Sequence, residues 1–112
     1  MKSDKFKIDQ NLSYLDTIEV MTDASSFLKD NFSNEISLYV ADPFHFYFTD
    51  TRYEVFDKKW PNLVNNLSSR PNLVISCQPA GMPLPQDPLS IGYQEIKRFS
   101  KGFSEVKIYQ IK

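Results

Sequence analysis

The densest run of aromatic residues lies between Phe44 and Phe48, and it constrains the fold more than any other segment. Only His45 interrupts it. If the run is a strand, its period of two places the three phenylalanines on one face, and His45 and Tyr47 on the other. Neither face is polar enough to be stable when it is exposed to solvent. The predicted strand is therefore either covered on both sides or keeps one face for a partner.

Composition predicts a single domain with its own hydrophobic core. The chain has 112 residues, of which 41% are hydrophobic and 14% aromatic, and only three are glycine. Residues 1–11 are polar and are predicted to form an N-terminal tail, and residues 12–112 a single α+β domain. No apolar run approaches the roughly 18–20 residues that span a bilayer, so no membrane contact is predicted. The single cysteine, Cys77, favours a reducing, cytoplasmic location.

Hydrophobic periodicity predicts a mixed order of strands and helices. Strands are predicted over residues 12–20, 35–41, 44–48, 72–77 and 104–111, and helices over 23–32, 58–68 and about 87–101. Asp87 and Pro88 begin the last helix, as its N-cap and its first residue. Residues 53–56 fit either a strand or the start of a helix, since periodicity cannot decide over four positions.

This order favours one sandwich with helices on one face of a mostly antiparallel sheet. The first six elements match a ferredoxin-like βαββαβ core, with the second and third strands forming a hairpin, followed by a C-terminal αβ extension. The match concerns topology alone. Such a fold carries enzymes, RNA-binding proteins and regulators alike, so it does not predict an activity.

Motifs of common catalytic and cofactor sites are absent from the sequence. It contains no G-x-G-x-x-G, P-loop, nucleophile elbow, H-E-x-x-H or paired-cysteine pattern. Only His45 and Cys77 could supply an imidazole or a thiolate, and Cys77 ends a strand predicted to be buried in the core. We therefore predict no catalytic residues, no cofactor and no metal.

Charge is unevenly distributed along the chain. From Asp9 to Asp57 there are ten acidic residues against Lys29 and Arg52, a local balance of −8. One interpretation is an ordinary solvated surface on which the signs happen to separate along the sequence. The other is an acidic face that steers a basic partner. Nucleic-acid binding is not predicted, because it needs a concentrated positive surface.

These features favour a non-enzymatic protein-binding module. The kind that fits is a small acidic inhibitor or immunity-type protein that neutralises a basic partner, such as a nuclease toxin. The candidate partner-binding residues are Asp42, His45, Tyr47, Asp50, Tyr53 and Glu54. An alternative is a small-ligand-binding or enzymatic domain that uses a crevice under the loop from Pro79 to Pro88, with Met82 exposed at its tip. A homodimer formed through the aromatic face is a third candidate.

Overall fold

The computed structural model describes residues 2–41, 43–56, 70–84 and 86–112, with side chains from Tyr14 onward except that of Phe56. This part of the chain contains one α-helix, two 3-10 turns and five strands. The 3-10 turns are Phe44–Tyr47 and Pro88–Ile91. The helix is α1 (Lys2–Asn31), and the strands are β1 (Ile36–Val40), β2 (Tyr53–Phe56), β3 (Leu73–Gln78), β4 (Tyr93–Lys101) and β5 (Ser104–Ile111).

The five strands form one mixed sheet in the order β2-β1-β3-β5-β4. Strand β1 lies between β2 and β3 and is parallel to both, so that Leu38 is opposite Val55 on one side and Leu73 on the other. Strand β5 is antiparallel to β3 and β4. The α+β class is therefore confirmed. The ferredoxin-like order is not, because parallel pairs make up half of the sheet.

Helix α1 packs on one face of the sheet, called here the helix face. Its buried side chains recur every three or four residues, as one side of an α-helix requires. They are Thr17, Val20, Met21, Ala24, Ser25 and Leu28. The apolar members join one core with strand residues that include Leu38, Ile75 and Ile108. A smaller cluster of Val74, Tyr93 and Tyr109 lies on the opposite face.

The strand predicted over residues 12–20 is wrong, because this segment belongs to α1. Residues 2–31 contain neither proline nor glycine, the two residues that interrupt helices most strongly. The helix predicted over residues 23–32 lies at the C-terminal end of the same element. Helix α1 also includes residues 2–11, where a tail is predicted from the sequence.

The aromatic run is a 3-10 turn and not a strand, and the predicted hairpin is wrong. Phe44 and Phe48 are buried in the core, whereas Phe46 between them is 63% exposed. A strand would have placed all three on one face. A helical turn instead directs the middle residue away from the other two. The connection from β1 to β2 therefore buries the rings of Phe44 and Phe48 and exposes the ring of Phe46 to solvent.

The helix predicted after Asp87 is wrong beyond its first turn. Asp87 is the N-cap, as predicted, and its side chain accepts a hydrogen bond from the Leu89 backbone N–H at 3.0 Å. Pro88 follows as the first residue of the 3-10 turn. Gly92 then adopts a left-handed conformation with φ 94°, which ends the turn before β4 begins.

A β-bulge explains why β4 resembles a helix in sequence. The register shifts between Glu95 and Lys97, so that one additional residue is inserted opposite β5. Tyr93 therefore packs on the opposite face of the sheet, whereas Phe99 packs against the helix-face core. Ile96 between them also packs against the helix-face core, so covered residues recur every three positions, which is a helical spacing.

Strands β1, β3 and β5 confirm three predicted strands to within one or two residues. Five of the six residues of β3 are buried, as its continuous apolar sequence predicts for a strand covered on both faces. Residues 53–56, left open from the sequence, form β2. The helix predicted over residues 58–68 lies outside the described residues. Among those described, no helix combines the length and apolar character needed to cross a membrane.

Candidate functional site

Six large apolar side chains of the described residues are more than half exposed. Five of them come from the middle of α1, the first 3-10 turn, the chain after β3, and the turn between β4 and β5. We call these five residues the apolar end: Tyr14, Leu15, Phe46, Met82 and Phe103. The sixth, Leu89, lies in the second 3-10 turn.

Helix α1 and the first 3-10 turn meet at Tyr47. The Ser25 hydroxyl of α1 donates a hydrogen bond to the Tyr47 carbonyl oxygen at 3.1 Å, and the rings of Phe46 and Tyr47 lie 4.5 Å apart. Burial raises the pKa of Tyr47, and the neighbouring Tyr14 and Cys77 raise it further. The turn follows β1, which runs parallel to β3, and Phe44 and Cys77 belong to one core, so the turn lies at the carboxyl end of β3.

The chain leaves β3 in a tight turn that presents Met82. The Gly81 N–H donates a hydrogen bond to the Cys77 carbonyl oxygen at 2.9 Å. A Cβ atom at position 81 would collide with that same oxygen, so the close approach requires glycine. Met82 follows directly and is exposed, as predicted for the tip of this loop.

Phe103 is 88% exposed in the turn between β4 and β5. Gly102 before it has φ 58°, and a Cβ atom there would collide with the Asp16 carboxylate of α1. The turn therefore lies against α1 at Asp16. Phe103 and Pro79 line one surface depression of 430 Å³, which connects this turn with the chain after β3. The segments that carry the apolar end thus lie at the end of the sheet where β1 and β3 finish and β5 begins.

Acidic side chains border the apolar end. The Lys101 ammonium forms a hydrogen-bonded ion pair with the Glu19 carboxylate, and this pair raises the pKa of Lys101. Asp16 and Asp23 raise the same pKa further, so three carboxylates of α1 act on one lysine. These three carboxylates and one ammonium have a net charge of −2, so this border attracts cations.

The candidate residues predicted from sequence are divided between two places. Tyr47 is half-buried beside the apolar end, and His45 is a half-buried member of the same 3-10 turn. Asp42 lies outside the described residues. The remaining three, Asp50, Tyr53 and Glu54, lie where β1 and β2 begin. The structure therefore does not bring the predicted set together, since β1 and β2 are parallel.

Asp50 forms hydrogen bonds within the protein and is not free to bind a partner. Both of its carboxylate oxygens accept hydrogen bonds from the Arg52 guanidinium, at 3.2 and 2.9 Å, and the Arg52 backbone N–H donates to the same carboxylate. Arg52 also donates to the Phe32 carbonyl oxygen at 3.0 Å, just after the end of α1. Hydrogen bonds from Arg52 lower the pKa of Asp50 to about 2. Asp50 therefore orients Arg52, which binds the end of α1.

Tyr53 and Glu54 differ in their surroundings. Tyr53 packs its ring near Phe48, with centroids 6.4 Å apart, and its hydroxyl is buried without a hydrogen-bond partner among the described residues. Burial raises the pKa of Tyr53. Glu54 is exposed and lines a cleft with Glu35. Of these two residues, only Glu54 offers a charge to solvent.

The Asp50 pair predicts a pH dependence of stability. Because the pKa of Asp50 is lower in the folded chain than its ordinary value of 3.8, its stabilisation is present above about pH 4 and is lost as the pH falls toward about 2. Asp50→Asn should therefore destabilise the protein at about pH 5, and the difference from wild type should shrink by about pH 2. Urea unfolding at both pH values checks this, with Glu54→Gln as the control. An equal difference at both pH values would contradict the assigned role.

Sequence reasoning missed most of the apolar end. Tyr14 lies seven residues before Met21, on the side of α1 that carries the buried stripe, but it is exposed, whereas Leu15 lies on the outer side. Neither position is evident until the segment is read as a helix. Phe103 follows a glycine between two predicted elements, and a large aromatic residue in so short a connection is itself a sign of exposure. Phe46 was assigned to a strand face. Only the exposure of Met82 follows directly from the sequence.

Comparisons with known proteins do not place this chain in a family. No family model, curated protein or solved structure gave a significant match. Among the described residues, no group of three histidine, cysteine, aspartate or glutamate side chains is arranged to hold a metal ion. The arrangement that stands out is therefore the exposed apolar surface with its acidic border.

Proposed function

We propose that this protein is a protein-binding module whose apolar end docks on a partner with a basic surface. The observation that carries the proposal is the gathering of five exposed apolar side chains from four separate segments. Isolated exposed apolar residues are ordinary on a protein surface, but several large ones gathered at one end of a domain beside a polar border favour an interaction site. Aromatic anchors contribute most to such interfaces, and Tyr14, Phe46 and Phe103 supply three.

The acidic border favours a basic partner. Asp16 and Glu19 contact the turn that carries Phe103, Asp23 also acts on Lys101, and Lys101 pairs with Glu19 alone. Such a border raises the rate of encounter with a positive surface and disfavours acidic proteins. A small inhibitor or immunity-type protein that covers a basic toxin would use this combination of charge and aromatic anchors.

The nearby thiol supports binding over catalysis. Cys77 is 1% exposed, and burial raises its pKa, so the thiol stays protonated near neutral pH. Burial likewise raises the pKa of Tyr47. Neither group is activated as a nucleophile or a base.

Affinity capture with three matched baits tests the proposal. The baits are wild type, Phe46→Ser/Phe103→Ser and Leu89→Ser, the last removing an exposed apolar side chain away from the apolar end. We expect wild type and Leu89→Ser to enrich the same basic protein from source cells, and the double variant to recover at least about tenfold less. Quantitative mass spectrometry measures the recovery, and melting temperatures establish that all three baits are folded.

Two outcomes would overturn the proposal. One is equal recovery by all three baits, or no enrichment over background. The other is a concentration-dependent dimer in light scattering that Phe46→Ser/Phe103→Ser abolishes, because the occupant of the apolar end would then be a second copy of the chain.

Charge steering gives a separate prediction for the captured partner. Asp16→Asn/Asp23→Asn should slow its association by several-fold at low salt, and the difference from wild type should nearly vanish above about 0.5 M salt. Glu35→Gln/Glu54→Gln, which removes two charges at the other end of β1, should have little effect. Stopped-flow association rates measure both variants. A loss for the first variant that does not depend on salt would indicate a direct contact or a folding defect instead.

A further inference from the structure

A crevice of 310 Å³ lies under the loop that follows β3, on the sheet face opposite α1. Its floor is formed by alternate residues of β3 and β5, and its other wall by the loop and the second 3-10 turn. The lining residues include Ser76, Gln78, Glu105, Lys107 and Tyr109 from the floor, and Leu84, Gln86, Asp87 and Pro88 from the loop. This volume is at the small end of the range of ligand pockets, about 300–1,000 Å³.

Tyr109 is the most buried polar residue that lines the crevice. This residue is only 6% exposed, and a hydrogen bond from Ser76 acts on its hydroxyl. Burial raises its pKa, Lys107 opposes that change, and Glu95 and then Asp87 add to it. Lys107 lines the floor of the crevice beside Glu105, and Asp87 lines its other wall, so opposite charges face one small crevice from both sides.

Lys107 and Asp87 both retain capacity for a ligand. The Lys107 ammonium lies 3.5 Å from Glu105, and that carboxylate is also approached by Arg98 at 3.7 Å and by the Ser100 hydroxyl. Since Lys107 has three N–H donors, it can bind a further anion. One Asp87 oxygen accepts the Leu89 N–H, and no ion pair among the described residues involves its carboxylate. The second oxygen is available for a cation.

We propose that this crevice binds a small zwitterion of the size of a free α-amino acid. Lys107 holds the carboxylate of the ligand, Asp87 holds its ammonium group, and the amides of Gln78 and Gln86 hydrogen-bond its polar side chain. An anion alone would leave Asp87 unpaired, and a cation alone would compete with Lys107 for the same space. The site is independent of the apolar end, so either proposal can fail without the other.

Titration of the whole chain with L-glutamine, followed by backbone amide NMR, tests the site. We expect saturable shifts at residues 76, 87 and 107–109. N-acetyl-L-glutamine lacks the ammonium group and L-glutaminamide lacks the carboxylate, so both should bind at least about tenfold more weakly. These comparisons use the wild-type protein and do not depend on the folding of any variant.

Substitutions at Asp87 and Lys107 test which residue binds each charged group of the ligand. Asp87→Asn keeps the oxygen that accepts the Leu89 N–H, so the turn should stay intact while binding weakens at least about tenfold. Lys107→Met should weaken binding similarly, and Lys29→Met, on exposed α1 surface, should not change it. Absence of saturable shifts with L-glutamine, or equal binding of all three probes, would overturn the proposal.

Discussion

We expect Leu28→Ala to lower the free energy of unfolding by about 2–5 kcal/mol. Leu28 is fully buried near the C-terminal end of α1, in the core that joins the helix to the sheet. Removing its side chain leaves a cavity between α1 and the strands. The packed interior can collapse only partly, so the lost contacts add to the transfer free energy of the removed atoms. Urea denaturation measures the change.

Leu15→Ala is the matched control for this prediction. It removes the same atoms from the same helix at a position that is 59% exposed, so the expected change is within about 0.5 kcal/mol. Equal losses for the two variants would mean that the buried stripe of α1 is placed wrongly. Leu15→Ala also removes one residue of the apolar end, so it can weaken partner binding without weakening the fold.

The second large effect is expected at Gly81. Gly81→Ala inserts a methyl group against the backbone carbonyl oxygen of Cys77, which β3 holds in the sheet. Backbone cannot move aside as a flexible side chain does, so the turn after β3 must shift, at a cost of about 1–3 kcal/mol. Thermal unfolding measures the loss.

Ala80→Ser in the same turn is the control for Gly81→Ala. Residue 80 is exposed, and the substitution should change stability by less than about 0.5 kcal/mol. If Gly81→Ala proved as stable as wild type, the close approach of residues 77 and 81 would be contradicted. The position of Met82 in the apolar end would then be wrong as well.

Local patterns predicted the elements that carry their own signals. The alternation over β1, the continuous apolar run of β3 and the N-cap at Asp87 depend on neighbouring residues alone, and the structure confirms them. Helix α1 was predicted only in its C-terminal third. The spacing of Leu12, Tyr14, Ile18 and Val20 alternates as in a strand and marks no single face of a helix, so the local pattern there favours the wrong element.

Other features depend on contacts distant in sequence. The parallel pairing of β1 with β2 decides that the aromatic run forms a crossover instead of a hairpin strand, and no local pattern encodes that choice. The β-bulge in β4 changes which side faces inward, which imitates a helix. The apolar end is assembled from four segments by the same non-local contacts, so its residues cannot be grouped before the fold is known.

Hydrogen–deuterium exchange of the chain, alone and with the basic protein it captures, tests the central claim most directly. The proposed docking predicts that the partner slows exchange in α1 around Tyr14, in the first 3-10 turn, and in the backbone around Met82 and Phe103. Protection confined to the edge strand β4, or to the cleft at Glu35 and Glu54, would contradict the claim, because the partner would then bind elsewhere on the molecule.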